Sequence, residues 1–130
     1  MNDSVTDNRL SALNVLVSRQ KLIESALKHT DEGWTFEHIF EGVATGRLSF
    51  WFNEDSVAIL ELRMMPARPV IHVFLGAGTQ KGLFDLFENV KAWAKPNGVT
   101  QMTTQCRRGF ANRLKKAGWT QKKLWMEIEL

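Results

Sequence analysis

The chain has no tyrosine, one cysteine, three prolines among its 130 residues and no long apolar run. With Cys106 alone, an internal disulfide framework is excluded and a reducing compartment fits. A membrane-spanning helix needs about 18 consecutive apolar residues, and none occur. The opening stretch MNDSVTDNRL is polar and acidic, so export by a signal peptide is not expected. His29, His38, His72 and Cys106 lack metal-ligand spacing, which predicts no metal site. Neither a G-x-S-x-G elbow nor a G-x-x-x-x-G-K-S/T loop is present. Internal repeats and low-complexity tracts are also absent. The last scarcity is local. Residues 91–123 contain no Asp or Glu but nine Lys or Arg, whereas residues 1–90 carry eight basic against twelve acidic side chains. This basic block includes Arg107, Arg108, Arg113, Lys115, Lys116, Lys122 and Lys123. Such a one-signed field attracts the phosphates of a cofactor or nucleic acid, or an acidic partner, unless it is simply a solvated helix face.

What is present reads as a flexible N-terminus at residues 1–8 followed by a single domain over residues 9–130, long enough to bury a core. Asp7 or Asn8 can cap a helix from about Arg9 to His29, in which Leu10, Leu13, Leu16, Ile23 and Leu27 recur at helical spacing. Asp31-Glu32-Gly33 breaks it. Thr35 caps a second helix, Glu37 favours its dipole in the first turn, and Gly46 ends it. Arg47–Phe52 and Val57–Arg63 form a hairpin across Asn53-Glu54-Asp55-Ser56.

Val70–Gly98 is the most informative segment: VIHVFLGAGTQKGLFDLFENVKAWAKPNG. A β-branched and aromatic run, Val70–Leu75, predicts a third strand. Gly76, Gly78 and Gly82 predict a turn whose backbone N–H groups approach a ligand unobstructed, at the positive end of the helix that follows. An ordinary strand-to-helix connection is the plainer reading. Val99–Gln105 is a fourth strand, able to run parallel to the third because a helix lies between them. A basic helix, Arg108–Ala117, ends at Gly118. In the tail, Leu124, Met126, Ile128 and Leu130 alternate with Trp125, Glu127 and Glu129, as in a last strand. Trp51 and Trp125 are candidates for exposed positions on a partner surface. The predicted class is α/β (α+β): a mixed sheet flanked by helices, in the order ααβββαβαβ.

That order, the strand–turn–helix above and the closing QCRRGFANRLKKAGWTQKKLWMEIEL resemble the GNAT (Gcn5-related N-acetyltransferase) family. The chain is similar above all to small GNAT-like proteins of tailed bacteriophages, through the LSFW hairpin entry, the AWAKPNG helix exit and the RRGF…LKKAGW block. The likeness covers nearly all of Leu10–Leu130. It implies that the pyrophosphate of acetyl-CoA lies on backbone N–H groups of Gly76, Ala77, Gly78, Thr79, Gln80, Lys81 and Gly82. The family's Arg or Gln three residues before the first glycine is missing. So is the tyrosine that often reprotonates the CoA thiolate near the last helix, a role open to Cys106. The base is Glu61 or His72, the latter titrating near neutral pH. Each of the three has a plainer reading: Glu61 as a solvent-facing strand residue, His72 as a packed sheet histidine, and Cys106 as a small buried hydrophobe.

Three functions follow. The first is a non-catalytic or degenerate acetyltransferase-like domain of a bacteriophage. It would serve as a virion-associated or internal structural protein, with phage structural proteins or further copies of itself as partners, in the virion or the host cytoplasm. The alternative is an active acetyl-CoA-dependent N-acetyltransferase acting on an amine. The third is nucleic-acid binding, with DNA held on a basic face that includes Arg107, Arg108, Arg113, Lys115 and Lys116.

Overall fold

The structure, a computed structural model, describes residues 11–30 and 32–130. The expected loose terminus, the caps Asp7 and Asn8 and the start of the first helix lie outside these residues.

The expected continuous first helix is divided. Residues 11–18 are helical, and α1 (Gln20–Leu27) resumes after Arg19. At the break, the Arg19 amide reaches the carbonyls of both Val15 and Leu16. Its guanidinium donates to the backbone carbonyls of Asn53 at 2.7 Å and Glu54 at 3.2 Å. A long-range tie to the hairpin loop therefore sits where helical periodicity predicts no interruption.

Helix α2 (Phe36–Ala44) begins as expected, with an addition. Thr35 Oγ1 accepts from the His38 amide, and His38 Nδ1 accepts in return from the Thr35 amide at 3.0 Å. His38 thus takes the part that Glu or Gln usually plays in a capping box. The helix ends at Thr45, and Gly46 follows with a φ of 81°.

Strands β1 (Ser49–Phe52), β2 (Ser56–Met64) and β3 (Pro69–Gly78) are antiparallel neighbours, and β4 (Met102–Thr104) runs parallel to β3. The sheet order is β1-β2-β3-β4. Helix α3 (Gln80–Ala94) and a 3-10 turn (Lys95–Asn97) connect β3 to β4, and Gly98 stops the turn with a φ of 77°. Helix α4 (Arg108–Lys116) follows β4.

Alternation along the strands separates two buried clusters. Val57, Ile59 and Leu75 pack against Leu16, α1 and α2, with Ile23, Ile39 and Val43 at the centre. Ala58, Leu60, Ile71 and Val73 pack on the opposite face against α3, through Leu86, Phe87 and Val90, and against Leu114 of α4. Phe84 stacks on Phe110 at 5.9 Å and Phe87 meets Trp119 at 5.7 Å, which fastens α4 to α3.

Two expectations fail here. The third strand does not stop at Leu75: Gly76, Ala77 and Gly78 remain in β3, opposite Ala58, Val57 and Ser56. The turn itself is only Thr79. The tail, moreover, forms no strand. Residues 119–130 carry no regular structure, and Leu124, Met126, Ile128 and Leu130 are each at least 79 % exposed. Alternation supplies two faces but no partner, and no described strand pairs with this stretch. Trp125 is exposed as expected, whereas Trp51 is half-buried and packs edge-on against Trp93 at 6.3 Å.

Candidate functional site

The order of pairing brings three polar residues into one row. Glu61 on β2 lies opposite His72 on β3, and His72 lies beside Thr103 on β4. Directly paired residues share a sheet face. This row is on the α1–α2 face, beyond the end of the apolar cluster. His72 is 8 % exposed and shares a hydrogen bond of 2.9 Å between its Nδ1 and Thr103 Oγ1. Glu61 is half-buried and paired to Arg63, two residues along the same strand face. Burial holds the His72 pKa below 6.5 and the charge of Arg63 pushes the same way, against the opposing pull of Glu61 and Glu32. The imidazole is therefore neutral at physiological pH, the form that accepts a proton. It is both a packed histidine and a chemically competent one.

Beside His72 the strand is irregular. Leu60 pairs with Val73 and Ile59 with Leu75, so Phe74 is an extra residue in β3. A bulge of this kind re-aims side chains next to it. Phe74 receives Trp34 edge-on at 5.3 Å. Trp34 is 40 % exposed, and its indole N–H donates to the Glu32 carboxylate at 3.0 Å. Trp34, Phe74 and Glu32 are therefore additions to the expected site. Their only sequence signal is an aromatic within a loop and another within a strand.

The glycine segment proves to be built differently from the expected cradle. Gly78 has a φ of 114°, and a Cβ there would overlap the backbone of Asp55 and Ser56. A Cβ on Gly82 would overlap the Asp55 carboxylate and Ser56 Oγ, and one on Gly76 would press on Leu83 at 3.0 Å. These glycines let the turn lie against the start of β2. Thr79 caps α3 by accepting from the Gly82 amide at 3.1 Å, and its hydroxyl donates to Asp55 at 2.9 Å. Lys81 pairs with Asp85 at 3.0 Å, an interaction that raises its pKa. A shallow depression at this end is lined by Asn53, Glu54, Asp55, Lys81, Gly82 and Asp85.

What remains for an anion is backbone. The first-turn amides of Gln80 and Lys81 have no acceptor within the helix, and both residues are exposed. Strand β4 pairs with β3 only at Ile71–Val73, so the strand edge from Phe74 to Gly78 is uncovered by it. Because β3 and β4 are parallel, their C-terminal ends lie at one edge of the sheet. There α3 starts, and there Cys106, Arg107 and Arg108 lead into α4. This edge suits a phosphorylated ligand: it carries two helix N-termini, two arginines and a stretch of β3 that β4 does not pair with. Arg113, Lys115 and Lys116 lie instead in the last turn of α4, where positive charge complements the dipole. Cys106 is exposed rather than buried, and partial desolvation pushes its thiol pKa up.

No family model matches the chain, and no curated protein matches its sequence. Solved structures do match its shape. An aminoglycoside acetyltransferase from an uncultured soil metagenomic sample, in complex with sisomicin, has a TM-score of 0.68 at 10 % identity, over 91 % of this chain and 90 % of that one. The ribosomal-protein-alanine N-acetyltransferase of Brucella melitensis biovar Abortus 2308 gives 0.65 at 12 % identity, over 91 % and 93 %. Aminoglycoside N-acetyltransferase AAC(6')-Iy in complex with CoA gives 0.62 at 10 % identity, over 87 % and 89 %.

The chain has the GNAT acetyltransferase fold.

Within that GNAT frame, His72 and Glu61 share the middle of the sheet with Thr103. Gly76–Gly82 lie at the edge where β3 meets α3. Six residues of extended strand separate His72 from Gly78, about 20 Å. The pairing of Thr103 with His72, and the packing of Asp55 and Ser56 against Gly78 and Gly82, are long-range features with no local sequence signal.

Proposed function

We propose that this protein is an acetyl-CoA-dependent N-acetyltransferase in which His72 takes the proton of an acceptor amine. The observation that carries this is the row Glu61–His72–Thr103, with a neutral, hydrogen-bonded imidazole beside the bulge at Phe74. The amides of Gln80 and Lys81, together with Arg107 and Arg108, would hold the cofactor's phosphates. Acetyl-CoA, when bound, supplies the acyl thioester and its leaving group. A protonated amine must lose a proton before its nitrogen can attack the thioester, and a neutral imidazole receives it. Glu61, opposite the ring, favours the resulting imidazolium. Cys106 keeps its proton at neutral pH, the state needed to return one to a thiolate. Glu32, Glu61 and the exposed ring of Trp34 suit a cationic acceptor, by charge and by cation–π attraction.

The test is acetyl transfer to a panel of primary amines. His72→Gln is expected to lower kcat by about 10²–10⁴-fold, the usual range for a positioned base. Full activity in that variant removes His72 from the reaction.

A second reading rests on the acidic surroundings of the α3 terminus and on the missing tyrosine. On it, the chain is a phage protein that has kept the scaffold and lost the reaction. It would associate with itself or with other structural proteins in the virion or the host cytoplasm. Calorimetric titration separates the two. Micromolar acetyl-CoA binding supports the enzyme, whereas silence at millimolar cofactor, with the protein found in purified particles, supports the scaffold.

A further inference from the structure

We propose that Thr103 is a positioning residue that fixes His72 as the Nδ1–H tautomer and leaves Nε2 as the proton-accepting nitrogen. Its connection to acetyl transfer rests on the function proposed above, while the tautomer itself is a property of the free protein.

The argument begins with register. Parallel pairing of β3 with β4 covers only three residue pairs, Ile71 with Met102, His72 with Thr103 and Val73 with Thr104. His72 and Thr103 are the middle pair, held from both sides. Thr104 Oγ1 donates to the Val73 carbonyl at 3.0 Å, and the Ile71 amide donates to the Gln101 carbonyl at 3.0 Å. The Thr103 hydroxyl therefore stands on the best-anchored part of β4. Threonine is stiff at χ1, so its oxygen costs little further entropy to place.

A ring nitrogen's tautomer is set by the bond that the other nitrogen makes. Thr103 Oγ1 lies 2.9 Å from Nδ1 and is the protein partner of that nitrogen among the described residues. No described side chain bonds Nε2, and the structure contains no sealed side-chain nitrogen or oxygen without a partner among the described residues. In the proposed arrangement Nε2 is the nitrogen left for water or ligand. The hydroxyl can donate to a bare Nδ1 or accept from Nδ1–H, and accepting from Nδ1–H is the role that a proton-accepting ring keeps in both protonation states. The neutral ring donates through Nδ1 and accepts at Nε2, and the imidazolium keeps the same Nδ1–H bond after Nε2 is protonated. The described carboxylates nearby bond elsewhere, Glu61 with Arg63 and Glu32 with the indole of Trp34. Those three charged groups, Glu61, Arg63 and Glu32, influence how readily the ring charges. Thr103 determines which nitrogen takes the proton.

The test is nitrogen-15 NMR of the His72 imidazole in the uniformly labelled full chain, read through its two- and three-bond couplings at pH 8. The expected spectrum is that of the Nδ1–H tautomer. Thr103→Val, close in shape but without the hydroxyl, is expected to move the ring to Nε2–H or to a mixture, and Thr103→Ser to restore Nδ1–H. A wild-type ring protonated on Nε2 overturns the proposal. So does a Thr103→Val ring whose tautomer is unchanged. Because wild type is informative alone, failure of a variant to fold does not rescue the idea. In the transfer assay, Thr103→Val should lower kcat about tenfold with KM little changed, and shift the acid limb of the profile to lower pH. Thr103→Ser should retain both. If wild type shows Nδ1–H but transfers no acetyl group, the enzymatic reading falls and the assignment of Thr103 stands.

Discussion

At the scale of single residues, burial and partners decide behaviour more than residue type does. His72 shows this through pH. Its folded-state pKa lies below 6.5, chiefly because burial penalises the charged ring. In the pH window between the folded and unfolded values, the unfolded chain binds more protons than the folded one. Stability is then fully present above about pH 6.5 and is lost as pH falls through the folded value. Urea unfolding at pH 7.5 and pH 5.0 should therefore show a larger loss for wild type than for His72→Gln. Glu61, Arg63 and Glu32 are shared by both chains, so they cancel to first order. Equal losses would mean that the ring charges freely in the folded protein. The glycines supply a second contrast. Gly78→Ala places a Cβ into the backbone of Asp55 and Ser56 at a φ of 114°. A loss of about 2–4 kcal/mol is expected from strain and overlap combined. Gly109→Ala meets no atom within 4 Å in α4 and should gain up to about 1 kcal/mol from helix propensity. Denaturant midpoints measure both. A substitution at Gly78 therefore reports on folding before it reports on a cofactor.

At the scale of elements, periodicity reveals faces, and long-range pairing decides where each element begins and ends. The Thr35 cap, the Gly46 stop, the hairpin and the Pro-Asn-Gly exit of α3 were legible because each depends on neighbours within a few residues. The end of β3 was not. Gly76 and Gly78 are weak strand formers, yet both stay paired in β3 because Ala58 and Ser56 occupy the partner positions. Arg19 likewise interrupts a good helical pattern for the sake of carbonyls more than thirty residues away. The site divides in the same manner. His72 and Glu61 were legible as types able to move protons. Thr103 was not, since its role depends on a parallel register that no local pattern encodes. The turn into α3 carries its own prediction. Thr79 accepts from the Gly82 amide and donates to Asp55, and Ser56 donates to the Thr79 carbonyl at 3.1 Å. Thr79→Ala should cost about 1 kcal/mol through loss of the cap, with somewhat more from stranding Asp55. Thr79→Ser should recover most of it. A neutral alanine variant would mean that α3 starts without its cap.

At the scale of the whole molecule, two apolar clusters lie back to back on one four-stranded sheet, and cooperativity passes through β2 and β3, which face both. Every buried apolar residue falls between Leu16 and Leu114 among the described residues. Trp119 extends this range a little through its ring against Phe87. The last eleven residues add nothing to either cluster, although Leu124, Trp125, Met126, Ile128 and Leu130 are apolar. The hydrophobic contribution scales with area removed from water, and side chains this exposed have removed little. Deleting residues 120–130 while keeping Trp119 should therefore shift the unfolding free energy by no more than about 0.5 kcal/mol and leave the urea m-value unchanged, because m follows the surface exposed on unfolding. Deleting residues 119–130 removes the Trp119 ring as well and should cost about 2 kcal/mol more, within the range for losing a partly buried aromatic. Equal effects from the two deletions would contradict the packing of Trp119 on α3. A large loss from the shorter deletion would instead mean that the tail packs on the domain in solution, and that its alternation encodes a strand after all.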